Sequence, residues 1–224
     1  VGFRAVLLDF RGTLVPAPTY RDLVRRGLAR VGRPSGPDDV EAVLTLLRAG
    51  DRSLVDAPDV DADVERHRAA HHHWFRTARI DDALAAALYA VESDVAAAPF
   101  ACDAVPVLSA LSAAGVALAV VSDIHVDLRP AFGAQRTPGG GLLADLVGAW
   151  ALSFEVGASK PDPRVFRAAL DGLGVPAADA LMVGDRGAWD GAAAEQGLTA
   201  LVLPPLTDPD ERRLHRVLDL ALPR

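Results

Sequence analysis

Four places in the 224-residue sequence put carboxylate, hydroxyl or amine groups where apolar runs stop: Asp9 with Thr13, Ser122 with Asp123, Lys160, and Asp185 with Asp190. Two carboxylates from separate strands can hold a hard divalent cation such as Mg²⁺, which prefers oxygen ligands and shares its coordination with a substrate phosphate. An aspartate can also attack phosphorus to form an acyl phosphate, dividing one difficult displacement into two steps. A lysine would balance the concentrated negative charge, and a hydroxyl could orient a phosphoryl oxygen. Taken singly, each has a plainer reading. Asp9, Asp185 and Asp190 suit helix caps or turns, Thr13 and Ser122 could satisfy loop backbone, and Lys160 before Pro161 could be a solvated turn residue. Their repetition after successive apolar runs favours one shared site.

The elements that would carry them alternate. A short apolar run over 4–8 ends at Asp9 and is followed by Gly12, Pro16 and Pro18, the pattern of a buried strand entering a loop. After Pro99, a helix over 103–114 precedes a strand over 116–121, and an apolar stretch over 149–154 precedes Lys160 and a helix over 163–173. A strand over 180–183 precedes Gly184 and Asp185 with a helix beyond, and Val202 and Leu203 close a last strand before a terminal helix from about 208. This rhythm predicts an α/β fold, a Rossmann-like parallel sheet flanked by helices, with ligands beyond the carboxyl ends of the strands. Residues 139–141 read as a glycine loop.

Residues 17–97 differ. Helical segments over 20–31, 38–48, 61–79 and 81–95 show no convincing strand among them, so the block reads as a helical insertion into a core formed by 1–16 and 98–224. His67 and His71 share a helix face at a spacing compatible with metal ligation, but no third ligand is evident, and His67, His71, His72 and His73 are read as polar surface of the insertion. Trp74, Phe75 and Tyr89 are read as its core, and Arg21, Arg25 and Arg26 as solvated helix residues.

Half the residues are hydrophobic, enough for a sizeable core. A formal net charge of -7 argues against nucleic acid as a partner. One cysteine, Cys102, excludes an internal disulfide, no charged leader with an apolar run precedes Phe3, and no apolar stretch is long enough to span a bilayer. The expectation is a cytoplasmic protein, monomer or homodimer, acting on a small molecule without membrane or nucleic acid.

Four strings in order, Leu8-Asp9-Phe10-Arg11-Gly12-Thr13-Leu14, Val120-Val121-Ser122-Asp123, Gly157-Ala158-Ser159-Lys160-Pro161-Asp162-Pro163 and Val183-Gly184-Asp185 with Asp190-Gly191, resemble the motifs of the haloacid-dehalogenase-like hydrolase superfamily. The resemblance implies Asp9 as nucleophile and metal ligand, and Ser122 and Lys160 as ligands of the transferring group. It further implies Asp185 as an Mg²⁺ ligand, with Asp190 at the metal or supporting it and Lys160 from behind. Thr13, Asp123 and His125 join the expected substrate-binding set. The insertion resembles the helical cap of many members, which would select the substrate and exclude water. One position departs: phosphatases of this superfamily ordinarily carry a second, acid/base aspartate where Arg11 stands. Arginine stays charged, so it can stabilise an anion but cannot deprotonate water, although its backbone carbonyl can still bind the metal. His125 or Asp123 are the substitute bases nearest in sequence. The leading expectation is Mg²⁺-dependent phosphatase or phosphoryl-transfer chemistry on a small phosphorylated metabolite, with Asp9, Arg11 and Lys160 catalytic. The alternatives are dehalogenase-like attack on carbon, or a catalytically silent protein that binds a phosphorylated ligand or another protein, with Arg11 paired to Asp9 or Asp185 in a disabled site.

Overall fold

The computed structural model describes residues 2–96 and 98–222, so the expected boundary at residue 97 and the two chain termini lie outside the described residues. The first strand, β1 (Ala5–Leu8), is fully buried along its length. It lies at the centre of a five-stranded sheet, parallel to β2 (Ala117–Ser122) on one side and to β4 (Ala180–Gly184) on the other. Beyond them lie β3 (Val147–Leu152) and β5 (Thr199–Val202), giving the order β3-β2-β1-β4-β5. A central parallel strand covered on both faces has no solvated side, which explains an unbroken apolar run in place of alternation.

Successive side chains of β1 still point to opposite layers. Between β1 and β2 the chain forms α1 (Tyr20–Arg30), α2 (Pro37–Ala49), α3 (Val64–Thr77), α4 (Asp82–Glu92) and α5 (Ala104–Ala113). Later come the short α6 (Arg129–Gly133) and α7 (Ser153–Val156), then α8 (Pro163–Leu173) and α9 (His215–Ala221). Val6 and Leu8 pack with Val107, Leu108 and Leu111 of α5 and Val217 of α9, whereas Ala5 and Leu7 pack with Val165, Phe166 and Ala169 of α8. Helices α1 to α4 bury a third cluster of their own, around Leu28, Leu44, Trp74, Phe75 and Leu88. Among the described residues no strand interrupts them, and no helix is long and apolar enough to cross a membrane.

Three expected elements differ. The helix expected over 61–79 begins at Val64, because Asp63 caps it by accepting the Arg66 N–H at 2.7 Å; residues Val60–Ala62 form a separate 3₁₀ turn. Only a 3₁₀ turn, Gly191–Gln196, follows Asp185 where a helix was expected. The last helix starts at His215 instead of about 208, where Asp103 Oδ2 accepts the N–H groups of Leu214 (2.8 Å) and His215 (3.3 Å). The extended segment before it is held as a strap. Arg213 Nη2 donates to the carbonyls of Gly12 (2.6 Å) and Thr13 (2.9 Å), and Nη1 donates to that of Pro204.

Candidate active site

The carboxyl ends of β1, β2 and β4 bring the singled-out residues to one edge of the sheet. Asp9 directly follows β1, and its N–H continues the ladder to the Val183 carbonyl at 2.9 Å. Lys160 reaches in from the loop before α8, fully enclosed, and its Nζ donates to Asp9 Oδ1 (2.7 Å), Asp190 Oδ1 (2.6 Å) and the Val121 carbonyl (3.3 Å). Asp190 uses its other oxygen to accept the N–H groups of Asp185 (3.1 Å) and Arg186 (2.9 Å), so both its oxygens are engaged and it orients the Asp185 turn. Thr13 donates to Asp9 Oδ2 at 3.4 Å.

Gly12 makes the crowding possible. Its φ is +80°, a conformation that favours glycine, and a Cβ there would come within 2.4 Å of Asp185 Oδ2. The loop can therefore lie directly against the Asp185 carboxylate. Oxygens of Asp9, Asp185 and Asp190 all lie within 4.8 Å of one another, three carboxylates facing the single ammonium of Lys160. Burial raises Asp9 above the usual carboxylate range, Asp190 and Asp123 push the same way, and Lys160 opposes them. Burial, then Asp9 and Asp190, push Asp185 up to about 6. Burial alone would lower the Lys160 ammonium, but Asp9, Asp123 and Asp190 raise it above its ordinary value. Asp185 Oδ1 is buried without a hydrogen-bond partner. A negative surplus beside an orphaned carboxylate oxygen fits the donor chemistry that a hard cation requires.

A cavity of about 360 Å³ opens over these groups. Asp9, Arg11, Ser122, Asp123, Asp185 and Arg186 line it from the sheet side, and residues 55–58, 60 and 61 line it from the insertion. Asp123 is largely engaged, accepting the Lys160 N–H at 2.8 Å and Arg186 Nη2 at 3.0 Å. Thr13 and His125 lie behind the cavity wall and are buried.

Two expectations are corrected. Arg11 pairs with neither Asp9 nor Asp185: its Nη1 donates to Glu92 Oε1 (2.6 Å) and its Nη2 to the Glu92 carbonyl (2.8 Å), at the end of α4. The saturated Lys160 already balances Asp9, and Glu92 offers two acceptors matched to the guanidinium fork. His67 and His71 are not surface residues. His67 is buried with its ring stacked on that of His125 at 3.4 Å, and His71 Nδ1 meets the His67 carbonyl at 3.0 Å; His72 is exposed, as expected. The sequence reading did not single out Asp61, Glu92, Arg186 or Arg213. Arg186 directly follows Asp185 in the fourth motif, a signal present in the sequence, whereas the other three meet the site only through tertiary contacts.

A family model described as haloacid dehalogenase-like hydrolase matches residues 3–197. None of the curated proteins matches the chain. Among solved structures, a dehalogenase is 23% identical, with a TM-score of 0.66, covering 99% of this chain and 98% of that one. A 2-haloacid dehalogenase from Pseudomonas syringae pv. tomato is 23% identical, with a TM-score of 0.61, covering 97% and 98%. A phosphatase of the same superfamily from Thermococcus onnurineus is 23% identical, with a TM-score of 0.55, covering 89% and 86%. These likenesses show the fold.

Proposed function

The chain belongs to the haloacid dehalogenase-like hydrolases, and within that family we propose that it hydrolyses a small phosphorylated metabolite in an Mg²⁺-dependent reaction through a phosphoryl intermediate on Asp9. The observation that carries this reading is the buried, unpartnered Asp185 Oδ1 beside Asp9, in a cluster whose carboxylates outnumber its cations. Attack on carbon needs no such cation, whereas attack on a dianionic phosphate does. Asp9, Asp185 and the backbone carbonyl of Arg11 would hold the ion, with Asp190 supporting them from behind. When bound, Mg²⁺ would offset the repulsion between the Asp9 carboxylate and the phosphoryl oxygens.

The chain's own residues supply the rest. Lys160 fixes the Asp9 carboxylate through Oδ1, and Ser122 and Arg186 on the cavity wall would grip the phosphoryl oxygens. Residues 17–97 would serve as the cap, closing over the cavity and selecting the substrate through its residues 55–61. The test is a panel of phosphate esters assayed with and without Mg²⁺. Turnover that requires the metal and disappears in Asp9→Asn is the expected result, and a panel without turnover at high enzyme concentration would count against the reading.

One observation favours a second reading, attack by Asp9 on carbon as in the dehalogenases. Arg11 provides no proton for a leaving alkoxide, and a halide needs none. Halide release from a 2-haloacid without added metal would make this second reading the better one.

A further inference from the structure

Asp61 belongs to the helical insertion, yet the sheet side holds it in place. Its backbone carbonyl accepts the Ser153 hydroxyl at 2.7 Å, and the same hydroxyl oxygen accepts the Ile124 N–H at 2.8 Å. Because Asp63 caps α3, the 3₁₀ turn Val60–Ala62 remains outside the helix, and the Asp61 side chain faces the cavity that holds Asp9, Ser122 and Asp185. Behind it stand two imidazoles: Asp61 Oδ1 lies 3.6 Å from His67 Nε2 and 3.8 Å from His125 Nδ1. The opposite ring nitrogens have partners of their own, Tyr89 Oη for His67 (3.3 Å) and Ser93 Oγ for His125 (3.0 Å). His125 Nδ1 is buried, with no hydrogen-bond partner and Asp61 as the charged group before it.

Asp61, His67 and His125 lie close enough to suggest a metal triad. The ring geometry opposes it. The two imidazole planes are stacked at 3.4 Å and only 11° from parallel, so their in-plane lone pairs run alongside each other and do not converge on one ion. The cluster instead backs a carboxylate with two stacked imidazole rings. Burial would raise Asp61, but His125, His67 and Arg11 hold it below its ordinary value, so it is ionised at neutral pH. Such a group can accept a proton and has none to give.

We propose that Asp61 is the general base for hydrolysis of the Asp9 intermediate, taking from the cap the role that the position of Arg11 cannot fill. The proposal rests on the reading of Asp9 as nucleophile. A water in the cavity attacks phosphorus, forming the new P–O bond while its proton passes to the Asp61 carboxylate. The P–O bond to Asp9 breaks, its electron pair returns to the Asp9 carboxylate, and inorganic phosphate leaves. Asp61 then releases the proton to solvent. His67 and His125 are positioning residues, aligning the carboxylate without touching the reacting atoms.

The test is rapid-quench kinetics with p-nitrophenyl phosphate and Mg²⁺ on the full chain, with the phosphorylated protein followed by mass spectrometry. In Asp61→Asn the first nitrophenolate equivalent should appear at the wild-type rate while steady-state turnover falls about 10²- to 10⁴-fold and phosphorylated Asp9 accumulates. In Asp61→Gly, added formate should restore turnover, a rescue that a merely structural role would not give. Steady-state turnover unchanged in Asp61→Asn, an equal loss of burst and steady state, or no formate rescue in a folded Asp61→Gly would each overturn the proposal. A wild-type protein that forms neither nitrophenolate nor phosphorylated Asp9 would overturn the nucleophile reading instead, and this proposal with it.

Discussion

Arg11 shows what a sequence can and cannot disclose about a single residue. Its type excludes acid/base chemistry, and that much is legible from the motif string alone. Its partner is not, because Glu92 lies 81 positions away and meets it only once α4 has docked. The same division holds for Asp9, Lys160, Asp185 and Asp190. Their convergence follows from the ends of β1 and β4 and the loop before α8 meeting at one edge of the sheet, whereas the engagement of both Asp190 oxygens depends on distances that no spacing encodes. The Glu92 contact also changes what a reversal must do. An aspartate at position 11 would face the Glu92 carboxylate, so Arg11→Asp alone sets two like charges together. Arg11→Asp combined with Glu92→Gln removes that repulsion and should raise Mg²⁺-dependent phosphatase turnover at least about tenfold, as expected when an acid/base group is recovered. Steady-state kcat on phosphate esters checks this, and a fall in kcat in a folded, metal-binding double variant would show Arg11 to be a positive participant.

At the scale of elements, periodicity found the long helices and the strands because each has a buried face of its own. α8 matches its expected span, 163–173, since Asp162 caps it, Pro163 occupies its first turn and Gly174 ends it in the left-handed conformation. The segment before α9 departs from its expected helix for the converse reason. Residues 208–214 carry helix-compatible side chains, but their conformation is set by distant partners: the Cys102 N–H donates to the Pro209 carbonyl at 2.7 Å, and Arg213 crosses to the Gly12–Thr13 loop. That arginine is nearly fully buried, and burial lowers its guanidinium below the ordinary value. Its desolvation is offset by carbonyl contacts that tie the strap to the Gly12–Thr13 loop. Arg213→Met keeps the volume and leaves buried acceptors unpaired, each costing about 1–3 kcal/mol. Urea denaturation should therefore show at least about 2 kcal/mol of destabilisation, and an unchanged midpoint would mean that water replaces the guanidinium.

Across the whole molecule, the contacts that join the insertion to the sheet side include the Arg11–Glu92 ion pair, the Ser153–Asp61 and Ser93–His125 hydrogen bonds, and, third, the stack of His67 on His125. The third makes the junction sensitive to acid. Burial, with His125, His71 and Arg11 adding to it and Asp61 opposing, depresses His67 from 6.5 to about 2; Tyr89 is the remaining polar group against its ring. With a folded value below the unfolded one, its contribution is complete above pH 6.5 and is lost as pH falls toward 2, by about 1.4 kcal/mol per unit. Asp185 works in the opposite sense, since its folded value near 6 exceeds the ordinary 3.8 and favours the folded state as pH falls between them. In the wild type the two trends cancel in part. His67→Phe retains a stacking ring and removes the titration together with the ring-nitrogen contacts to Tyr89 and Asp61, whose loss is common to both pH values to first order, which leaves the Asp185 trend exposed. The variant should therefore lose less stability than wild type between pH 7 and pH 4.5, by about 2–3 kcal/mol in denaturant titrations at the two pH values. Parallel losses in the two proteins would show that His67 protonates freely in the folded state, and that the stack does not hold the junction closed against acid.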